Sequence, residues 1–126
     1  MTDTTDQDKA GGISIHAVDV SRGVPAGGLW VQLRRLEPGA AVIAEGACAP
    51  NGHFMHPIAE GDGVLRGRYE VGFDVGAFFR EAGVPIPDPS FLEVAVFRFG
   101  IDEVQEHFHL PFKFTPWGFS LFRGGA

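Results

Sequence analysis

The chain has 126 residues, which is enough for one domain with a sizeable core and leaves no room for a second. Its formal net charge of -6 argues against nucleic acid as a partner, because binding to a phosphate backbone needs clustered Lys and Arg. No apolar run approaches the roughly 20 residues that span a bilayer, no signal peptide is recognised, and a single cysteine cannot form an internal disulfide. We therefore expect a cytoplasmic protein with no membrane partner.

The chain is predicted to divide into a disordered tail, residues 1–11, and one folded domain, residues 12–126. The tail is polar and acidic and has almost nothing to bury. Beyond it, short β-favouring runs separated by Gly, Pro, Asn and Asp predict an all-β sandwich or barrel of about eight strands. The strands are expected at 13–19, 29–35, 41–48, 53–58, 67–73, 91–99, 105–114 and 118–122.

One segment between these strands predicts a short helix. Asp74 is a candidate N-cap, and the helix would continue through Ala82 to end at Gly83. Three prolines within residues 85–89 prevent its continuation. The pair Phe78-Phe79 is expected to pack this helix onto a sheet.

The seventh predicted strand carries the most informative pattern. Alternate side chains of an extended chain share a face, so the four apolar residues from Phe108 to Phe114 are expected to point into the core. The opposite face then carries His107 and His109, about 7 Å apart, and this face is not needed to form the hydrophobic core. Pro111 lies on that face too, and its missing amide proton predicts an edge position or a bulge.

Other predicted strands carry further polar candidates. His16 shares the polar face of the first strand with Ser14, so it is able to face a cleft. His53 follows an Asn51-Gly52 corner, a common place for a hairpin to begin its second strand. Ser120 lies in the last strand.

Each histidine taken alone has an ordinary interpretation as a surface or hydrogen-bonded residue. An H-x-H pair with a third histidine would also suit zinc, but no ligand partner lies at a diagnostic spacing, so we expect neither a metal nor a cofactor. The sequence lacks a G-x-S-x-G elbow, a phosphate loop and a dinucleotide fingerprint, which removes several common enzyme classes.

Two separated motifs resemble a known family, the 5-hydroxyisourate hydrolases, which are relatives of transthyretin. The family's opening signature, H-V-L-D…G-x-P-A, is similar to HAVD at 16–19 followed by RGVPA at 22–26. Its ending, H-Y-H-V-P…S-P-x-G-Y-S-T-Y-R-G-S, is similar to HFHLP at 107–111 followed by PWGFSLFRG at 116–124. The resemblance covers nearly the whole chain after Gly12.

The resemblance implies a transthyretin-like sandwich of two four-stranded sheets with one short helix. It also implies a homotetramer, a dimer of dimers, with active sites where the dimers meet. The family's reaction opens a six-membered ring by adding water to a ring carbonyl and breaking its bond to nitrogen. The resemblance therefore predicts a cyclic amide hydrolase acting on a 5-hydroxyisourate-type product of urate oxidation.

The resemblance also implies the catalytic residues. His16 and His109 match the family's two histidines, and neutral imidazole suits proton transfer because its ordinary pKa, about 6.5, lies near physiological pH. Ser120 matches the family's serine, and its hydroxyl is expected to orient the substrate or stabilise negative charge on a carbonyl oxygen.

Two positions depart from the family and concern substrate binding. His53 stands where the family has an arginine, and Phe122 stands where it has a tyrosine. The terminal serine is absent as well, leaving Gly125-Ala126. The predicted substrate-binding residues are His53, His107 and Phe122. The two departures make the predicted pocket less cationic and more apolar than the family's.

These departures predict an N-methylated substrate, trimethyl-5-hydroxyisourate, as formed in the catabolism of caffeine and other methylxanthines. Each buried methyl carbon contributes about 0.8 kcal/mol. Two alternatives stay open. One is an ordinary 5-hydroxyisourate hydrolase of urate degradation, in which protonated His53 replaces the arginine. The other is a non-catalytic transthyretin-like protein that binds a small ligand.

Overall fold

The structure, a computed structural model, describes residues 10–125 as two four-stranded sheets with one α-helix. The strands are β1 (Ile13–Asp19), β2 (Val24–Pro25), β3 (Trp30–Glu37), β4 (Ala41–Ala47), β5 (Gly67–Phe73), β6 (Ala95–Ile101), β7 (Phe108–Thr115) and β8 (Gly118–Leu121). The first sheet has the order β2-β1-β7-β8 and the second the order β4-β3-β5-β6. The predicted all-β sandwich with one short helix is confirmed.

The core forms because the apolar residues of each strand alternate with polar ones and point between the sheets. In β1 the buried residues include Ile13, Ile15 and Ala17, and in β7 the four apolar residues that begin with Phe108 are all buried. The rings of Phe73 and Phe112 stack across the sandwich with centroids 3.7 Å apart. Each sheet therefore keeps its other face for solvent, ligands or partners.

The predicted helix is present as α1 (Val75–Glu81). Phe78 and Phe79 attach it to the first sheet by packing edge-on against Phe114, with centroids 5.4 and 5.6 Å away. Asp74 does occupy the N-cap position, but its side chain makes no capping hydrogen bond. The helix thus depends on its buried aromatic residues more than on its cap.

The predicted strand at 53–58 is wrong. Only His53 forms a bridge, with His16, and the chain then turns into a short 3₁₀ helix, Pro57–Glu60. Proline favours the first turn of a helix, and the imidazole Nδ1 of His56 accepts a hydrogen bond of 3.0 Å from the backbone N–H of Ile58. These local interactions outweigh the β-favouring composition of the segment.

Other strand boundaries differ from the prediction. β6 begins at Ala95 because the preceding loop is tied down: the Glu93 carboxylate accepts a hydrogen bond of 2.8 Å from the N–H of Ser90. β7 begins at Phe108 because the N–H of Glu106 closes a turn onto the carbonyl of Glu103. The two-residue strand β2 was not predicted.

The sequence predicts an edge position or a bulge at Pro111, and the edge position is wrong. β7 is an inner strand between β1 and β8. The missing N–H of Pro111 instead interrupts the ladder with β8, which stops at the pair Phe112 and Leu121 and resumes as the single bridge between His109 and Gly124. A Cβ on Gly124 would approach the Pro111 ring to 3.1 Å, so the two residues pack closely.

The predicted tail, residues 1–11, falls mostly outside the described residues. Gly11 is described, and its N–H donates a hydrogen bond of 2.7 Å to the carbonyl of Val104. The folded domain therefore includes at least Gly11. No helix within residues 10–125 is long and apolar enough to cross a membrane.

Candidate active site

The parallel pairing of β1 with β7 brings the polar residues of two distant segments together. Ser14 lies directly opposite His109, and His16 lies opposite Pro111. These side chains share the outer face of the first sheet because their neighbours in sequence fill the core. Ser14, His16 and His109 are each half-buried there.

A cavity of about 290 Å³ opens on this face. Its lining residues are Ser14, His53, His107, His109 and Gly125. Three imidazoles and a hydroxyl thus converge on one space, and none of these lining residues is a Lys, Arg, Asp or Glu. The cavity can supply proton transfer and hydrogen bonds without a permanent charge.

A single hydroxyl joins two of these imidazoles. The Oγ of Ser14 lies 2.7 Å from the Nε2 of His107 and 2.7 Å from the Nδ1 of His109. The other ring nitrogen of His107, Nδ1, lies 2.7 Å from the carbonyl oxygen of Gly11. The rings of His107 and His109 are therefore held in fixed orientations.

His16 and His53 form a second pair beside this chain of hydrogen bonds. Their ring centroids are 4.3 Å apart and their planes differ by 26°. The Nε2–H of His16 donates a hydrogen bond of 2.9 Å to the carbonyl of Asn51, and the Asn51 side chain accepts one of 3.0 Å from the N–H of His53. The corner at Asn51 thus orients both imidazoles and leaves Nδ1 of His16 as its free nitrogen.

The surroundings of His109 disfavour its protonated form. Burial lowers the pKa of His109, and repulsion from the imidazoles of His107, His16 and His53 lowers it further. His109 is accordingly a neutral ring near pH 7, able to accept a proton. The β1–β7 register sets His16 on the same face of the sheet as His109, two residues further along the strands, and the catalytic roles of the two histidines stay a prediction.

Ser120 lies farther from this cluster. It pairs with Lys113, four residues along β7 from His109, which corresponds to roughly 13 Å of strand. It is exposed and does not line the cavity. Phe122 lies nearer, because continuation of the β7–β8 register towards Gly124 sets it beside Pro111, and its side chain is exposed.

Sequence reasoning did not select two residues of the cavity, Ser14 and Gly125. Ser14 was recognisable only as a neighbour of His16 on the same strand face, and its partner His109 depends on a tertiary pairing. Gly125 offers no side chain, and a Cβ placed on it would meet no described atom within 4 Å. The wall of the cavity at this point is therefore open.

Known proteins share this architecture and these motifs. The model of the HIUase/Transthyretin family matches residues 13–124. The chain belongs to this family. The 5-hydroxyisourate hydrolase 2 of Rhizobium meliloti strain 1021 is 41% identical to it over 117 residues, which are 92% of this chain and 98% of that protein. The family match and this relative support a hydrolase.

Solved structures agree with the family assignment. The 5-hydroxyisourate hydrolase of Klebsiella pneumoniae is 33% identical with a TM-score of 0.73, over 90% of this chain and 97% of that one. An (S)-allantoin synthase structure has a TM-score of 0.85 and 30% identity over 93% of this chain. The present chain spans only 44% of that synthase.

Among residues 10–125, no three His, Cys, Asp or Glu side chains are arranged to hold a metal ion.

Proposed function

We propose that this protein is a cyclic amide hydrolase that opens the six-membered ring of a 5-hydroxyisourate-type compound, and that its substrate is the trimethylated form produced in methylxanthine catabolism. The observation that carries the proposal is the uncharged cavity around His109. Its imidazole is neutral near pH 7, its orientation is fixed by Ser14, and a relative that matches 92% of the chain is named for 5-hydroxyisourate hydrolysis.

The reaction requires a base for water and a proton for the leaving nitrogen. In this proposal the Nε2 of His109 takes a proton as water adds to the ring carbonyl, and the nitrogen released by C–N cleavage receives one in return. His16 is the second proton carrier. Its Nε2–H is held by Asn51, so proton transfer at His16 passes through Nδ1.

The lining of the cavity favours a methylated ring. Arginine would supply five donors and a fixed charge at the position of His53, whereas an imidazole supplies at most two donors. Phe122 does not line the cavity within one chain but adds an apolar edge next to Pro111, and Gly125 leaves open space where a methyl group can lie. The cavity volume of about 290 Å³ is close to the lower limit of ordinary ligand pockets, as a small bicyclic purine derivative requires.

The test compares two substrates and one substitution. Ring opening of freshly prepared 5-hydroxyisourate and of its trimethyl analogue is followed by ultraviolet absorbance, with the spontaneous rate subtracted. We expect a higher kcat/KM for the trimethyl compound. His53→Arg should shift the ratio of kcat/KM towards the unmethylated compound by about fivefold or more, since an unpaired polar group at such a site costs at least about 1 kcal/mol.

The matched control is Glu45→Gln, which makes the same change in net charge at an exposed position of β4 in the other sheet. It should leave the ratio unchanged. A wild-type preference for 5-hydroxyisourate would instead assign the protein to urate degradation, the first alternative.

A non-catalytic ligand-binding protein is the second alternative. His109→Asn and His16→Asn remove a proton carrier while keeping a polar side chain of similar reach. In a hydrolase each should lower kcat at least a hundredfold, as general acid–base groups typically contribute 10²–10⁴. Saturable binding by the wild type without turnover of either substrate would favour the carrier.

We also propose that the protein works as a homotetramer, with the outer face of the first sheet directed towards another dimer. Exposed apolar side chains on this sheet and its turns support the proposal, among them Val20, Trp117 and Phe122. Ser120 keeps its proposed role as a hydroxyl donor, and because it lies far from His109 within one chain, that role requires a facing subunit. The cytoplasmic location expected from the sequence stays a prediction.

A further inference from the structure

The hydrogen bonds that begin at the Gly11 carbonyl have a defined direction. A carbonyl oxygen only accepts, so the Nδ1 of His107, 2.7 Å away, carries a hydrogen and donates it. A neutral imidazole has one N–H, so the Nε2 of His107 must be the acceptor in its contact with Ser14. The Ser14 hydroxyl therefore donates to His107.

The same reasoning fixes the next ring. The Ser14 hydroxyl has a single hydrogen, which His107 uses, so only its lone pairs are available to His109. The Nδ1 of His109 must then be the donor in its 2.7 Å contact with Ser14. In neutral His109 the other nitrogen, Nε2, is consequently unprotonated and carries a free lone pair.

The free nitrogen of His109 is open to the cavity. Within residues 10–125, no side chain or backbone group is hydrogen-bonded to Nε2, although His109 lines the cavity. Every fully buried side-chain nitrogen or oxygen in the described part of the chain does have a partner. The unpartnered Nε2 is therefore accessible rather than buried, as a group that meets water and substrate must be.

We propose that Ser14 and His107 are positioning residues that hold His109 in the Nδ1–H tautomer, so that its Nε2 is the atom that removes a proton from water. This inference rests on the proposed function for the identity of the reaction. When water adds to the substrate carbonyl, one O–H bond of the water breaks and its proton moves to Nε2. The water oxygen forms the new C–O bond as the π bond of the carbonyl breaks, which leaves that electron pair and the negative charge on the carbonyl oxygen. The resulting imidazolium keeps its Nδ1–H donated to the Ser14 oxygen.

Ser14→Ala and Ser14→Thr separate this role from a merely structural one. Alanine removes the hydroxyl, whereas threonine retains it and suits a β-strand. The first readout needs no substrate: nitrogen-15 NMR of the imidazoles at about pH 8 distinguishes Nδ1–H from Nε2–H rings. We expect His107 and His109 to be Nδ1–H in the wild type and in Ser14→Thr, and His109 to acquire Nε2–H character in Ser14→Ala.

The second readout is the kinetics of ring opening. Ser14→Ala should lower kcat about tenfold or more with KM within about twofold, because the base is mispositioned rather than removed. Ser14→Thr should recover most of the wild-type kcat. An Nε2–H ring at His109 in the wild type, or full kcat in Ser14→Ala, would overturn the inference. If the wild type opens neither substrate, the proposed function fails, and the NMR measurement still decides whether Ser14 sets the tautomer.

Discussion

At the scale of single residues, His109 combines a fixed orientation with surroundings that keep it neutral. Its backbone is part of an inner strand, and its Nδ1 is held by Ser14. Burial and three neighbouring imidazoles together lower its pKa, so the free base predominates at physiological pH. A cluster of histidines thus supplies a base without any carboxylate in the cavity lining.

The lowered pKa of His109 leads to a testable pH profile. In the proposed mechanism the active form is the neutral ring, so kcat/KM should rise with pH through the pKa of His109 and reach its plateau at a lower pH than an ordinary imidazole would give, because that pKa is lowered. The measurement is kcat/KM for ring opening between pH 5 and 8, corrected for the spontaneous reaction. The residual activity of His109→Asn should lack this acidic limb.

The opposite profile would contradict this assignment. If protonated His53 supplied the charge of the family's arginine, kcat/KM would decline as pH rises and His53 loses its proton. A decline of kcat/KM with rising pH in the wild type, absent from His53→Arg, would identify that mechanism. One mechanism predicts that kcat/KM rises with pH and the other that it falls, so a single pH series of kcat/KM distinguishes them.

At the scale of elements, the corner at Asn51 and Gly52 positions His53, one of the residues that line the cavity. Gly52 has a φ of +86°, and a Cβ there would overlap the carbonyl oxygen of Ala17 and come within 3.2 Å of the His16 ring. Its own carbonyl accepts a hydrogen bond of 2.9 Å from the N–H of Ala17. Glycine at this position therefore allows the corner to lie flat against β1 and bring His53 over His16.

Substitution of Gly52 by alanine should harm both stability and activity. A left-handed backbone alone costs about 1–2 kcal/mol for alanine, and Gly28→Ala, with a φ of +89° and open space around it, measures that cost. Gly52→Ala should lower the free energy of unfolding in urea by clearly more than this control. It should also lower kcat/KM, because the corner must move away from His16. Equal effects of the two substitutions would show that the close approach to β1 is unimportant.

The sequence predicts the strands and their faces better than it predicts which strands pair with each other. Alternation along β1 and β7 identified the outer faces with His16, His107 and His109, because strand periodicity is a local property. The parallel register that sets Ser14 beside His109 depends on which strands become neighbours, and the segments are 95 positions apart in the chain. The hydrogen bonds that link Ser14 to His107 and His109 were therefore not predictable from one segment alone.

The wrong predictions, a strand at 53–58 and an edge position for Pro111, have local causes that amino-acid composition does not reveal. Residues 53–58 contain β-favouring side chains, but the Pro57 turn and the His56 imidazole stabilise a 3₁₀ helix. Pro111 suggested an edge strand because it lacks an N–H, yet an inner strand tolerates it where the neighbouring ladder opens beside Gly124. In both places one side chain changes the backbone pairing, and periodicity carries no information about it.

At the scale of the whole molecule, the cavity on the outer face of the first sheet is open to solvent within one chain. The cavity is bounded by β1, the start of β7 and the residue before it, the corner at His53, and Gly125, and it is otherwise open. Exposed apolar residues border the same sheet, including Val20 just after β1 and Phe122 just after β8. A second copy of the chain would cover these residues and close the cavity against water, which strengthens the electrostatic interactions inside it.

Introducing a positive charge into this apolar border tests the assembly. Val20 follows β1 on its outer face and is 50% exposed. Val42 lies on β4 of the other sheet and is 46% exposed, so it serves as the control. Val20→Lys and Val42→Lys therefore introduce the same cation at similarly exposed valines. An unpaired ammonium is costly to bury, so Val20→Lys should shift the mass measured by light scattering from a tetramer to smaller species and lower kcat/KM in parallel. Val42→Lys should stay tetrameric and active, because β4 lies at the far edge of the second sheet. A wild type that is monomeric at micromolar concentration and fully active would show that one chain completes the site, and Ser120 would then have no part in catalysis.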